Sequence, residues 1–131
     1  LKIVEGFIAD GPFRLLLDPE SDVVPDAAFV RVERLPSDAE IEKRVEIAPD
    51  IAVEVASPTD RIGDVSRKVM RYLAAGSRYV WLVDPASRTV TVYEPGGQAR
   101  VLGLNDELTG GDVIPGFRIP VASIFPKPRD R

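Results

Sequence analysis

Pro49-Asp50-Ile51-Ala52-Val53-Glu54-Val55-Ala56-Ser57-Pro58-Thr59-Asp60 reads as a strand that runs into a helix. Five of the six residues 51–56 are apolar and three are β-branched, the composition of a strand covered on both faces. One acid, Glu54, is embedded near its end. An ionised carboxylate there is costly unless a metal or cation pairs with it, which makes Glu54 a candidate for chemistry. Ser57-Pro58-Thr59-Asp60 then offers a hydroxyl cap, a proline in the first turn and an acid three residues after the cap. A helix is expected from there to about Ala75, stopped by Gly76. Ile62, Val65, Val69, Tyr72 and Leu73 recur at helical spacing and are expected to face the core. Lys68 falls at the border of that stripe, roughly 40° from Tyr72 and 100° from Val69 at ~100° per residue. Its stem can lie on apolar surface while its amine reaches a cleft. Asp64 and Lys68, four apart with the acid first, are spaced for an ordinary helical ion pair.

Upstream, Ala27 to Val32 follows Pro25-Asp26 as a strand, much as residues 51–56 follow Pro49-Asp50. The segment 1–17 suggests two short strands around the Asp10-Gly11 turn, and DG between apolar runs is a hairpin signal. Asp18 to Val24 reads as a polar connection and Pro36 to Arg44 as a charged loop. Downstream come a buried strand from Tyr79 to Val83, an alternating one over Thr89–Tyr93, and another near Ala99–Leu104. Gly110-Gly111 and Pro115-Gly116 punctuate the tail, and Ile119–Phe125 packs before a polar terminus. The order β-β-β-β-α-β-β-β implies an α+β fold with a mixed sheet and a helix on at least one face.

The composition excludes much. The chain has 131 residues, one domain's worth, and its 44% apolar content suffices for a packed core. No apolar run approaches the roughly 20 residues that span a bilayer, so no membrane partner is expected. There is no cysteine, hence no disulfide framework and no thiolate metal site, which fits a cytoplasmic protein. There is no histidine either, which removes Ser-His and Cys-His nucleophile pairs and imidazole bases. Chemistry must run on carboxylates, lysine, tyrosine, hydroxyls or a metal held by oxygen, and carboxylates suit a hard cation such as Mg²⁺ or Mn²⁺. The net charge is −4, yet the stretch from Arg61 to Arg78 carries five basic residues against Asp64 alone. Such a local patch serves phosphate contact or, equally, a solvated helix face. The opening leucine begins in the middle of a strand pattern, which suggests a fragment of a longer chain.

Two strands joined by a moderate loop, 27–32 and 51–56, pair most simply antiparallel. The start of the first then lies beside the end of the second. Asp26 and Glu54 converge although 28 positions apart in the chain, and Asp50 goes to the far end. Lys68 can lean back over the same end from the helix. Two carboxylates and a lysine suffice for metal-assisted hydrolysis: the acids hold a cation that activates water, and the ammonium stabilises developing charge. The blander readings are that Pro-Asp is a turn, that Lys68 pairs with Asp64, and that Tyr72 and Trp81 are core.

Pro25-Asp26-Ala27-Ala28-Phe29-Val30, the Pro49–Pro58 stretch with Glu54, Asp64-Val65-Ser66-Arg67-Lys68 with Tyr72 and Gly76, Trp81-Leu82-Val83-Asp84-Pro85, and the closing Gly111-Asp112-Val113-Ile114-Pro115-Gly116-Phe117 and Ile124-Phe125 together resemble the Uma-two family of bacterial endonucleases. That family belongs to the PD-(D/E)xK nuclease superfamily. The resemblance implies one restriction-endonuclease-like domain over residues 1–131, a mixed sheet flanked by helices, here lacking its N-terminal helix. It implies that Asp26 is the first metal-binding acid and Glu54 that of the second motif. The lysine expected two residues after Glu54 is replaced by Ala56, and Lys68 matches the position from which the family supplies it. Tyr79-Val80 stands where the family has Glu-Tyr, a change expected to alter the surface near the site.

The leading expectation is therefore a Mg²⁺- or Mn²⁺-dependent endonuclease-like domain acting on DNA. Asp26 and Glu54 would bind metal, and Lys68 would polarise the attacking water or stabilise the phosphorane. Arg61, Arg67 and Arg71 would meet the nucleic-acid backbone. Exposed strand edges make a homodimer plausible. The alternative is a non-catalytic protein- or nucleic-acid-interaction module on the same scaffold.

Overall fold

The computed structural model describes residues 6–9, 13–14, 22–34 and 47–126. Its centre is a six-stranded sheet in the order β1 (Gly6–Ala9), β4 (Ala27–Arg31), β5 (Ile51–Val55), β6 (Tyr79–Asp84), β7 (Thr89–Tyr93) and β8 (Ala99–Leu102). All neighbours are antiparallel except β5 and β6, which run parallel and are joined through the helix α1 (Ile62–Ala74). Such a crossover is what a parallel pair requires. Two small pairs stand outside this sheet: β2 (Phe13–Arg14) with β3 (Asp22–Val23), and β9 (Glu107–Gly110) with β10 (Ile114–Pro120).

The sheet buries both faces, as the near-continuous apolar strands demand. Ala52 of β5 and Val80 of β6 meet Val69, Tyr72 and Leu73 of α1 on one side. On the other, Ile51, Trp81, Val90 and Val92 meet Leu108, Val113, Val121 and Phe125, so the β9–β10 pair and the segment after it close the second layer. Burying each large helix residue stabilises by about 1.5–3 kcal/mol. Trp81 stacks on Phe117 at 6.0 Å between ring centres, which places it in the core as expected.

Several expectations change. β1 pairs with β4 and β2 with β3, so β1 and β2 do not form a hairpin with each other. Pairing with β4 covers an edge that would otherwise stand open. The Asp10-Gly11 turn, the Pro36–Arg44 loop and the terminus beyond Pro126 lie outside the described residues. Residues 22–23, read as connection, form a short strand. The helix starts later than Ser57: residues 57–60 close a separate turn, with the Asp60 amide donating to the Ser57 carbonyl and the Ser57 amide to Asp60 Oδ2 at 2.8 Å. Arg61 is the N-cap and provides no side-chain cap. Ile62 is consequently on the helix's first exposed turn, 86% exposed, and does not reach the core.

Gly76 stops the helix as anticipated. It takes φ +112°, its amide donates to the Leu73 carbonyl and the Ser77 amide to the Tyr72 carbonyl. This pair of backward bonds is the Schellman arrangement that satisfies terminal carbonyls. Ser77, fully buried, donates its hydroxyl to the Pro49 carbonyl at 2.7 Å and so fixes the helix exit to the entry of β5. Gly76→Ala is expected to lower stability by about 1–2 kcal/mol through backbone strain alone, since nothing lies within 4 Å of an added Cβ. Urea denaturation measures this, and an unchanged midpoint would refute it.

Candidate functional site

The β4–β5 register pairs Ala27 with Val53, so one step further Asp26 stands opposite Glu54. Strand alternation puts both on the face covered by α1, together with Ala28 and Ala52. Asp26 is fixed by two bonds to β5: its amide donates to the Val53 carbonyl at 3.0 Å, and its Oδ2 accepts from the Val55 amide at 2.6 Å. The carboxylate thus continues the ladder where the strand's own carbonyl would have served.

Glu54 is 8% exposed. Its Oε1 receives two donors from α1, the Lys68 ammonium at 3.0 Å and the Tyr72 hydroxyl at 2.9 Å. Lys68 also donates to the Val24 carbonyl at 3.1 Å, just before Asp26. The lysine therefore bridges the entry of β4 and the end of β5. The alternative Asp64–Lys68 pair does not form. Asp64 pairs with Arg67, and Lys68 is drawn inward because a buried carboxylate offers a stronger partner than an exposed one. Asp26, Glu54, Asp64 and Lys68 line one cavity of about 340 Å³ at this end of the sheet.

Burial pushes the Glu54 carboxyl above its ordinary value. The Lys68 ammonium and the Tyr72 hydroxyl oppose the rise, and the negative charge of Asp26 adds to it. Burial and the neighbouring Glu54 push the Tyr72 phenol upward as well, so it remains a donor. Its spacing predicts Tyr72 in the core. It is fully buried, but its hydroxyl ends on the site. The available signal was its spacing: four residues after Lys68 on the same helix face, with a polar atom that burial obliges to find a partner.

The arginines are placed less centrally. Arg61 is exposed at the helix N-cap, Arg67 is exposed and held by Asp64, and Arg71 is half-buried. None is among the described lining of the cavity. Asp50 is structural: at the far end of β5 it accepts from the Arg31 amide at 2.8 Å and pairs with Arg34 at 2.7 Å. Tyr79 also belongs to that far end, beside Ile51, and packs on the opposite face from Glu54. Tyr79 thus points away from the carboxylates, while Val80 lies on their face and packs with Tyr72. The Tyr79 hydroxyl donates to Asp112 at 2.9 Å, while the Arg78 guanidinium lies over its ring.

Asp26, Glu54 and Lys68, from three separate segments, gather at one end of a mixed sheet with a crossover helix. A solved chain from Anabaena variabilis ATCC 29413, described as a "putative nuclease belonging to DUF820", shares this fold. Its TM-score is 0.79 at 22% identity, over 93% of this chain and 68% of that one. The sequence matches the Uma2 family, described as "Putative restriction endonuclease", over residues 2–122, and the chain belongs to that family. No curated protein matches it. Among the described residues no helix is long and apolar enough to cross a membrane.

A carboxyl whose folded pKa lies above 4.5 binds its proton more tightly in the folded chain. Glu54 therefore favours folding below that value and opposes it increasingly as pH rises through the raised one. Glu54→Gln removes the titration. The stability of the unsubstituted chain relative to this variant is expected to fall from below pH 4.5 to neutrality, by about 1.4 kcal/mol per pH unit of elevation. Urea midpoints at the two pH values test the sign.

Proposed function

We propose that this chain is a metal-dependent endonuclease domain that hydrolyses phosphodiester bonds in DNA, with Asp26, Glu54 and Lys68 as its working groups. One observation carries the reading: Lys68 Nζ lies 3.0 Å from Oε1 of Glu54, the residue that faces Asp26 across the β4–β5 ladder. Family membership supports it.

The donor set fits a hard divalent cation. Both acids commit one oxygen to the protein, and among the described residues Asp26 Oδ1 and Glu54 Oε2 make no hydrogen bond. No cluster of three or more acidic ligands occurs among the described residues. Two carboxylates nevertheless match Mg²⁺, which keeps several waters and takes substrate phosphate oxygens as further ligands. Asp26 and Glu54 would hold Mg²⁺ or Mn²⁺, and the ion would supply Lewis acidity toward water and phosphate.

The chain's own groups have distinct tasks. Lys68, always within reach of Glu54, presents a positive charge where negative charge develops on the phosphate. Tyr72 holds Glu54 Oε1 and so fixes the carboxylate against α1. Arg61, Arg67 and Arg71 contribute backbone contacts that add affinity without sequence information. A second reading, a non-catalytic interaction module, draws on the same ion pair: Lys68 already neutralises Glu54 with no metal required.

Incubating the full chain with supercoiled plasmid and Mn²⁺ separates the two. Nicking is expected, abolished by chelator and reduced about 10²–10³-fold by Asp26→Asn, Glu54→Gln or Lys68→Ala. Nicking that survives chelation or Lys68→Ala overturns the mechanism. Tyr72→Phe, which keeps the ring in the core, is expected to weaken Mn²⁺ binding about tenfold by calorimetry, the scale of a hydrogen bond to a charged group. Unchanged Mn²⁺ affinity would remove Tyr72 from the site.

A further inference from the structure

α1 covers only part of its sheet face. Beyond its first turn, Leu82 of β6 and Tyr93 of β7 remain open and form the floor of a second cavity of about 610 Å³. Pro58, Ile62 and Pro85 add to its apolar lining. The cavity lies at the carboxyl ends of the parallel pair β5–β6, the crevice where open α/β sheets bind ligands. It also adjoins the carboxylate cavity, since Ser57, Val65 and Leu82 line both. Leu82 is the direct neighbour of Glu54 across the strands.

The lining selects against charge of one sign. Among the described residues it contains Asp60 and Asp84 and no lysine or arginine. Both oxygens of Asp84 are taken by its own turn, through the Ala86 amide and the Ser87 hydroxyl. A phosphate is repelled from such a groove, whereas a flat, neutral, partly apolar ring is accepted. The Tyr93 ring and the proline faces offer the sequence-tolerant surface on which bases stack. Ile62, 86% exposed, stands on the rim and adds apolar surface there.

We propose that this groove receives an unstacked nucleobase from the strand whose phosphate lies at Asp26 and Glu54, which makes single-stranded or unpaired DNA the preferred substrate. The inference rests on the nuclease reading and specifies its substrate. A base in an intact duplex can enter only after being flipped out, which costs unstacking and unpairing energy, whereas a single strand pays far less.

The test uses the full chain and one oligonucleotide, single-stranded or annealed to its complement, carrying 2-aminopurine in place of a central base. In Ca²⁺, fluorescence anisotropy and 2-aminopurine emission report binding. In Mn²⁺, cleavage gives KM and kcat. At least tenfold tighter binding and lower KM are expected for the single strand, with an emission change that the duplex lacks. Ile62→Asp and Ala86→Glu, both at exposed positions, are expected to raise the single-strand KM about tenfold with little change in kcat or melting temperature. Equal cleavage of both forms, untouched by either substitution, overturns the base groove and leaves the nuclease reading standing. Single-strand binding that is sensitive to Ile62→Asp but gives no cleavage in Mn²⁺ supports the groove and overturns the nuclease reading. No binding of either form overturns both.

Discussion

Glu54 is an acid on a strand that is otherwise built for the interior, and the arrangement around it answers that cost. A buried carboxylate must be paired and hydrogen-bonded or it will not remain charged. Lys68 and Tyr72, one helical turn apart on α1, meet the same oxygen and satisfy the requirement jointly. Their convergence ties the phase of the helix to the register of β5. The Schellman stop at Gly76 and the Ser77–Pro49 bond then fix where the helix leaves the sheet.

Much of this was legible in the residues. The antiparallel pairing of 27–31 with 51–55, the crossover helix, its glycine stop and the approach of Asp26 to Glu54 follow from apolar runs and loop length, which report local structure faithfully. The inward turn of Lys68 was legible as a possibility, from its place at the border of the apolar stripe. What was hidden depended on partners distant in the chain. The choice of Lys68 between Asp64 and Glu54 turns on a difference in solvation that only the assembled sheet creates. The late helix start arises because Asp60 closes a tight turn with Ser57 rather than capping a helix. The pairing of β1 with β4 is a long-range edge decision that no local DG signal encodes.

The sheet has two differently finished faces. One is sealed by the β9–β10 pair and the segment that follows it, with Trp81 against Phe117 and Val121 and Phe125 closing the layer. The other, among the described residues, is covered by α1, and cavities lie along its carboxyl-end margin. The first face makes the domain stable. The second leaves two cavities at the end where the carboxylates stand.

Tyr79 illustrates what this division permits. At roughly 3.3 Å per residue it lies about 10 Å along the sheet from Glu54, and its contacts with Asp112 and Arg78 close on the opposite side. Sequence drift at the sealed face is thereby insulated from the carboxylate end. Relatives can exchange this clasp for another without retuning the carboxylates, so divergence among them is expected to be free at residues 78–79 and 112 and tightly limited at 26, 54, 68 and 72.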